Sequence, residues 1–332
     1  MNYIGSKHKL SSWIKEVIVD RVGELKDLIF CDIFAGTGII GRVFKKSVKS
    51  VIANDIEFYS YVLNRNYIKN HRPLKRAKEL IDSLNSLDGI DGFIYTNYCL
   101  GSGSGRQYFS DENGKKIDAI RNKIEEWFKN TKIDEDEYYF LLASLIESAD
   151  KVANTASVYG AFLKHLKKSA KKRLILEPAY FEINDNEHKV LQEDANLLIK
   201  RVGGDILYLD PPYNHRQYGA NYHLLNTIAE YKPFKPKGIS GLRKYSRSKY
   251  CRKNEVYQAF DELIKSAKFR YIFLSYNNEG LMSQENIEDI MSKYGKYSLE
   301  KIKYQRFKAD KDENRTHKAD KTYEYLHIFA YN

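Results

Sequence analysis

The sequence predicts an α/β fold, a parallel sheet interleaved with helices and interrupted by a mostly helical insertion. Three observations carry that expectation. Short apolar runs alternate with stretches of helical periodicity, as strands and helices do in α/β proteins. Two of those runs end in groups suited to ligands: Phe34-Ala35-Gly36-Thr37-Gly38 after the first, and Asp210-Pro211-Pro212-Tyr213 after a later one. Between them, in residues 72–189, charged and polar residues dominate and helical patterns recur.

The elements follow in order. Leu10, Trp13, Ile14, Val17, Ile18 and Val22 recur at helical spacing and predict a helix within residues 8–28. Residues 28–34 read as a strand, broken by Gly36-Thr37-Gly38, and residues 39–46 as a helix. A second strand over 48–53 ends at Asn54-Asp55, and a helix over 57–69 follows. Helical patterns recur at 74–86, 115–130 and 134–170, with Gly101-Ser102-Gly103-Ser104-Gly105 as a flexible loop among them. Strands return at 205–209 and 270–275, and a last one at 325–330 closes the sheet. The expected division is a catalytic domain from residues 1–71 and 190–332, with 72–189 as the insertion.

Composition narrows the classes. With 332 residues, 42% of them hydrophobic, the chain can bury a full core. Lys and Arg number 55 against 44 acids, a formal charge of +11, which favours a polyanionic partner. The 27 tyrosines suit stacking on bases beside those cations. Cys31, Cys99 and Cys251 stand far apart, without zinc spacing, so no metal site is expected and a reducing, cytoplasmic compartment is. No stretch approaches the about 18 apolar residues of a membrane span, and no apolar signal core opens the chain.

The glycine turn between the first strand and helix lets backbone approach a ligand, and Asp55, ending the next strand, is placed to accept from ribose hydroxyls. Gly36-Thr37-Gly38-Ile39-Ile40-Gly41 also fits the dinucleotide fingerprint, so this unit alone leaves nicotinamide and S-adenosylmethionine enzymes both open. Glu193-Asp194 precedes the Asp210 strand; an acid there suits either a helix cap or a contact to a cofactor adenine. At the start of the chain, Lys7 is a candidate partner for a cofactor carboxylate, with Tyr3 beside it. Asp210-Pro211-Pro212-Tyr213 is the sharpest signal, a rigid clamp for an amino group on a flat ring. Between Lys232 and Asn254 stand nine Lys/Arg and no acid, interleaved with Phe234, Tyr245 and Tyr250. That loop, with Arg243, Lys244, Arg247 and Lys249 at its centre, reads as a phosphate-contacting surface. Lys164, Lys167, Lys168, Lys171, Lys172 and Arg173 form a second basic cluster.

The order of Asn2-Tyr3-Ile4-Gly5-Ser6-Lys7, the Phe34–Gly38 turn, Asp55 and Asp210-Pro211-Pro212-Tyr213 resembles the Dam-like, alpha-class DNA adenine methyltransferases. Asn214-His215-Arg216-Gln217-Tyr218 and Leu274-Ser275-Tyr276-Asn277-Asn278-Glu279-Gly280 further resemble the modification enzymes of restriction systems in that group. The resemblance implies a Rossmann-like S-adenosylmethionine-dependent methyltransferase fold acting on the N6 amino group of adenine in double-stranded DNA, with S-adenosylmethionine as cofactor. It implies that Tyr3, Lys7, Asp55 and Asp210 touch the cofactor, with Phe34, Ala35, Gly36, Thr37 and Gly38 beside it. Asp210, Pro211 and Tyr213 become the catalytic group, the insertion becomes the candidate target-recognition region, and a cognate restriction endonuclease becomes the expected partner. Amino-group methylation of cytosine or RNA is the neighbouring alternative, and a nicotinamide-dependent oxidoreductase the alternative of another class.

Overall fold

The computed structural model describes residues 6–305 and 321–331. Tyr3 therefore lies outside the described residues. The described residues divide into two compact units, one within residues 6–64, 184–217, 247–305 and 321–331, the other within residues 65–183 and 218–246.

The first unit holds a seven-stranded sheet. Its strands are β1 (Ile29–Asp32), β2 (Ser50–Asn54), β3 (Lys189–Leu191), β4 (Gly203–Leu209), β5 (Lys268–Asn277), β6 (Lys296–Gln305) and β7 (Lys321–Ala330). They lie in the order β3-β2-β1-β4-β5-β7-β6. β1 to β5 run parallel, and β7 runs antiparallel to both β5 and β6. The buried strands are apolar on both faces because helices cover both: Ile206, Leu207, Tyr208 and Leu209 in β4 are all buried. Around the sheet stand α1 (Ser11–Val22), α2 (Ile39–Phe44), α3 (Phe58–Asn64), α8 (Ala195–Leu198), α11 (Val256–Ser266) and α12 (Gln284–Ser292). Phe260, Leu263 and Ile264 of α11 and Ile287 and Met291 of α12 join Leu207, Ile272 and Leu274 of the sheet in one core.

This is the α/β, Rossmann-like fold expected from the sequence. β3 and β6 were not among the expected strands. β3 has three residues, too few to show a period, and β6 is an edge strand without regular alternation, its Lys296, Lys301 and Lys303 exposed as charges that discourage further pairing. The helix expected through residue 69 changes winding at Asn64, with a π turn over Arg65–Lys69.

The second unit is helical: α4 (Ala77–Asn85), α5 (Phe93–Tyr98), α6 (Asp111–Lys129), α7 (Glu135–Val152), α9 (Tyr218–Asn221) and α10 (His223–Glu230). Asp134 and Glu137 form a reciprocal capping box that starts α7. The helix expected over 134–170 stops at Val152, where Ala153 turns extended. Residues 218–246, expected in the catalytic domain, group with the helical unit instead. Arg121 of α6 gives one reason: its buried guanidinium donates to the carbonyls of Ile228 and Ala229 at 3.1–3.2 Å, satisfying the C-terminal end of α10.

The ends of the three left-hand strands are tied by one buried amide. Asn54 Nδ2 donates to the Ile33 and Glu193 carbonyls, each at 3.0 Å, and its Oδ1 accepts from the Glu193 N–H at 3.0 Å. Asn54→Leu strands these backbone groups in a dry site. It is expected to cost at least about 2 kcal/mol of unfolding free energy, measurable by urea denaturation, and a loss within error would remove the amide from this role.

Candidate active site

β1 and β4 are neighbours, with Asp32 opposite Tyr208, and the sheet order reverses between them. Chain connections leave opposite faces at such a point, opening a crevice beyond the carboxyl ends of the strands. The Phe34–Gly38 turn leaves β1 there and Asp210-Pro211-Pro212-Tyr213 leaves β4 there. The topology thus brings together two motifs more than 170 residues apart in the chain.

The glycine turn is built by positive φ angles, +51° at Gly36 and +76° at Gly38. A Cβ on Gly38 would stand 2.7 Å from Asn64 Oδ1, so only glycine fits. Asn64 Nδ2 donates to the Gly36 carbonyl at 3.0 Å. Asp55 holds the turn from the other side: its Oδ2 accepts the Gly36 N–H at 2.8 Å and its Oδ1 the Glu57 N–H at 2.9 Å. The Gly36 N–H, expected to face a ligand, is thus committed to Asp55. Burial pushes the Asp55 carboxyl up to about 6, against the pull of those N–H donors. Phe34 packs edge-on against Tyr250, ring centroids 5.0 Å apart. Ala35 is buried, its N–H on the Asn54 carbonyl, and Thr37 is half-buried.

Lys7 is buried, at 6% exposure, and its ammonium sits 2.8 Å from Asp210 Oδ1 and 3.4 Å from Glu324 Oε1. Burial opposes its charge, but the two carboxylates outweigh burial and hold it firmly protonated. Burial also pushes Asp210 up to about 6, a rise that the Lys7 ammonium limits. Ser275 donates to Glu324 Oε1 at 2.8 Å. Tyr213 turns its ring edge to Tyr276 at 6.0 Å, with the Lys7 ammonium 5.8 Å from the ring centre. The Tyr213 carbonyl accepts the Leu281 N–H at 2.9 Å. That bond explains the second motif after β5: Gly280 passes where any Cβ would collide with the Tyr276 ring. Pro211 is buried at the foot of this group.

Glu324 and Asp32 were missed by sequence reasoning. Asp32 is an acid inside the apolar run 29–34, a signal open to notice. It is buried, its Oδ1 has no partner among the described residues, and burial, then the Asp210 and Asp55 carboxylates, raise it well above the usual carboxylate range. Glu324 lies in a strand where only register shows that it faces inward.

The remaining candidates divide. Asp194 is exposed and caps α8, its Oδ1 accepting from the Asn196 and Leu197 N–H groups. Of the basic loop, residues 232–246 fall in the helical unit and 247–254 in the sheet unit. Arg243 is tied to Glu230 at 2.7 Å. Lys244, Arg247 and Lys249 are exposed. Tyr250, expected to interleave with the cations, is core instead, with its hydroxyl on Asn196 at 2.8 Å. Gln217 couples the Asp210 loop to this segment: its amide oxygen accepts the Ser248 N–H at 2.8 Å. Lys164, Lys168, Lys171, Lys172 and Arg173 are exposed, while Lys167 donates to the Thr155 carbonyl at 2.7 Å. Among the described residues, no cluster of His, Cys, Asp or Glu is arranged to hold a metal ion.

A glycine turn latched to an acid thus stands beside an Asp-Pro-Pro-Tyr loop at the reversal point of a Rossmann-like sheet. The chain belongs to the D12 class of N6 adenine-specific DNA methyltransferases, whose family model matches residues 3–325. It is 66% identical over 330 residues to the type II methyltransferase M.NlaIII of Neisseria lactamica, covering 99% of this chain and 98% of that one. It is 42% identical to the type II methyltransferase M.FokI of Planomicrobium okeanokoites, over 93% of this chain and 50% of that one. M.CviAII of Paramecium bursaria Chlorella virus 1 is 39% identical, over 93% of each. The chain is thus an adenine-specific DNA methyltransferase of the type found in restriction–modification systems, and its cofactor is S-adenosylmethionine.

The residues present fit that cofactor. Gly38 leaves room that a Cβ would fill, and the unpartnered Asp32 Oδ1 and Asn64 Oδ1 are acceptors. Asp55, Asp210 and Glu324 against Lys7 give the crevice an acidic balance suited to a cationic ligand. Gly38→Ala is expected to lower S-adenosylmethionine affinity at least about tenfold. Calorimetry with the purified chain reads this directly; wild-type affinity would show that the turn does not shape the cofactor site.

Proposed function

We propose that the chain methylates adenine at a specific site in double-stranded DNA, as the modification partner of a restriction endonuclease in the cytoplasm, and that Asp210, Pro211 and Tyr213 form its amino clamp. The observation that carries the residue assignment is the emergence of Asp210-Pro211-Pro212-Tyr213 and the glycine turn from adjacent parallel strands at the order reversal. The type II names of the relatives support the restriction–modification reading. No helix among the described residues is long and apolar enough to cross a membrane. Methylation-sensitive sequencing of DNA from cells expressing the chain tests the activity and yields the recognition site; absence of N6-methyladenine would refute it.

When bound, S-adenosylmethionine supplies an electrophilic methyl group on a sulfonium. The adenine amino nitrogen is a poor nucleophile because its lone pair is delocalised into the ring. The Asp210 carboxylate and the Pro211 carbonyl accept hydrogen bonds from its two N–H groups and draw the nitrogen toward a tetrahedral shape, and one of those protons is lost to solvent once the nitrogen carries the methyl group. Tyr213 stacks on the base, which must leave the duplex to reach it. Lys7 acts from behind, keeping the Asp210 carboxylate ionised in a buried site. In the same reading Asp55 holds the cofactor ribose, Phe34, Ala35, Gly36, Thr37 and Gly38 wall its pocket, and Asp194 keeps an oxygen for its adenine. Most of the acceleration is positioning and electrostatics.

The ionisation of Asp210 gives a pH test. Its acceptor role needs the carboxylate, which is protonated below about 6 and ionised above. The rate kcat/KM is therefore expected to fall as pH drops through about 6. In Lys7→Met the opposing ammonium is gone, burial and the Glu324 carboxylate act unopposed on Asp210, and the falling limb moves to higher pH. A limb that stays in place would assign it to another group, such as Asp55. Asp210→Ala is expected to retain DNA binding and lose most methyl transfer.

Lys244, Arg247 and Lys249 are proposed phosphate contacts; Arg243, already paired with Glu230, contributes less than expected from its position in the sequence. Neutralising the first three is expected to weaken binding to all DNA sequences. It should flatten the dependence of log K on log salt by up to about 0.9 for each phosphate that is no longer neutralised. An unchanged slope in filter-binding titrations would move the DNA surface to the second basic cluster, around Lys164 to Arg173.

A further inference from the structure

Residues 237–242 of the helical unit form a tight hairpin. Lys237 and Leu242 exchange both backbone hydrogen bonds, at 2.8 and 2.9 Å, and Gly238 and Gly241 turn the chain at φ +66° and +70°. At the tip stands Ile239, 85% exposed, the most exposed large hydrophobic residue among those described. Tips of such turns ordinarily carry Asn, Asp, Gly or Ser. Its chain neighbours Gly238, Ser240 and Gly241 carry little apolar side-chain surface.

The tip is also held from behind. Arg106 donates to the Gly238 carbonyl at 2.9 Å, the Ile239 carbonyl at 3.0 Å and the Asn97 carbonyl at 3.2 Å. Tyr98 donates to the Gly241 carbonyl at 2.7 Å, and Tyr108 lies 3.2 Å from the Ser240 carbonyl. A Cβ on Gly241 would meet Arg106 at 2.7 Å and Tyr98 at 2.8 Å, so the turn sits hard on these two side chains. Arg106 and Tyr98 thus spend hydrogen bonds on three carbonyls of a four-residue turn that holds an isoleucine in water, while the Tyr108 hydroxyl donates to the Tyr159 carbonyl at 2.7 Å. Lys232, Lys235, Lys237 and Lys244, all exposed, surround it in sequence.

We propose that Ile239 is a wedge that enters the base stack of the bound duplex and stabilises the opened state from which the target adenine is taken. A rigid apolar tip flanked by cations matches the chemistry of that target: phosphates on the outside, apolar base faces within. Small apolar side chains are the groups that proteins insert between base steps, and insertion offsets the cost of unstacking. Arg106 is then a positioning residue, fixing the tip so that insertion costs little ordering.

The inference rests on the reading of the chain as a duplex-DNA methyltransferase, and the test separates the two. Two duplexes carry the recognition sequence found by sequencing, one fully paired and one with an abasic residue opposite the target adenine. Methylation of both by the wild-type chain tests the underlying reading. Ile239→Ala is expected to slow methylation of the paired duplex about tenfold or more, yet to remain within about twofold of wild type on the unpaired one. Ile239→Leu is expected to behave as wild type on both. The salt dependence of binding is expected to stay unchanged, since an isoleucine neutralises no phosphate. Equal rates of Ile239→Ala and wild type on the paired duplex, or an equal loss on both duplexes, would overturn the wedge.

Discussion

Everything at the carboxyl edge of this sheet is arranged around one buried ammonium. Lys7 lies between Asp210 and Glu324, and two further acids, Asp32 and Asp55, end the neighbouring strands. Burying carboxylates is expensive, and leaving one buried without its partner typically costs about 3–5 kcal/mol. A hydrophobic replacement of the group would often be as stable. Stability is therefore a weak reason for the cluster, and electrostatic preparation of the crevice a better one. With Lys7 in place the Asp210 carboxyl is held near 6 by the contest between burial and the ammonium, ionised at neutral pH though half-buried. In the proposed mechanism that ionised acceptor is what an amino group with a delocalised lone pair requires.

The sheet decides who meets whom. Lys7 precedes the first helix, Asp210 follows the fourth strand and Glu324 belongs to the seventh; only the order β3-β2-β1-β4-β5-β7-β6 puts them at one end. The antiparallel β7 matters here. A parallel strand in its place would bring its other end to the crevice, whereas the observed register sets Glu324 opposite Asn277, at the end of β5 that leads to Tyr276 and Gly280. Gln217 extends the same logic outward, carrying the geometry of the Asp210 loop to Ser248 between Arg247 and Lys249.

How far the sequence could be read depended on whether a residue's role was local. The turns at Gly36–Gly38 and at Asp210–Tyr213 are local: glycine at positive φ and paired prolines after an apolar run need no partner to be recognised. β4 and β5 announced themselves by continuous burial. Roles set by distant pairing were not readable. Glu324 looks like any acid in a mixed strand until the β5–β7 register places it, and Arg243 looks like a free cation until Glu230 is found beside it. Tyr250 sits among lysines yet is 4% exposed, because Ser248 starts a short turn that rolls it inward. The division of the chain was misplaced for the same reason. Residues 218–246 carry no composition that marks them helical-unit material; the bond from Arg121 to the end of α10 does.

Charge is distributed by function rather than spread evenly. The chain has a formal charge of +11, yet the crevice is acid-rich, so its cations are concentrated elsewhere on the surface. Several basic residues are structural: Lys7 and Arg121 are buried, and Arg243 and Arg252 pair with Glu230 and Glu255. Discounting those, the excess rests on exposed side chains in two short stretches, 232–253 and 164–173. An acidic pocket attracts a cationic methyl donor, and a basic exterior attracts a polyanion. In the proposed function the acid-rich crevice suits the cationic donor, and the exposed basic stretches suit the polyanion that carries the target base.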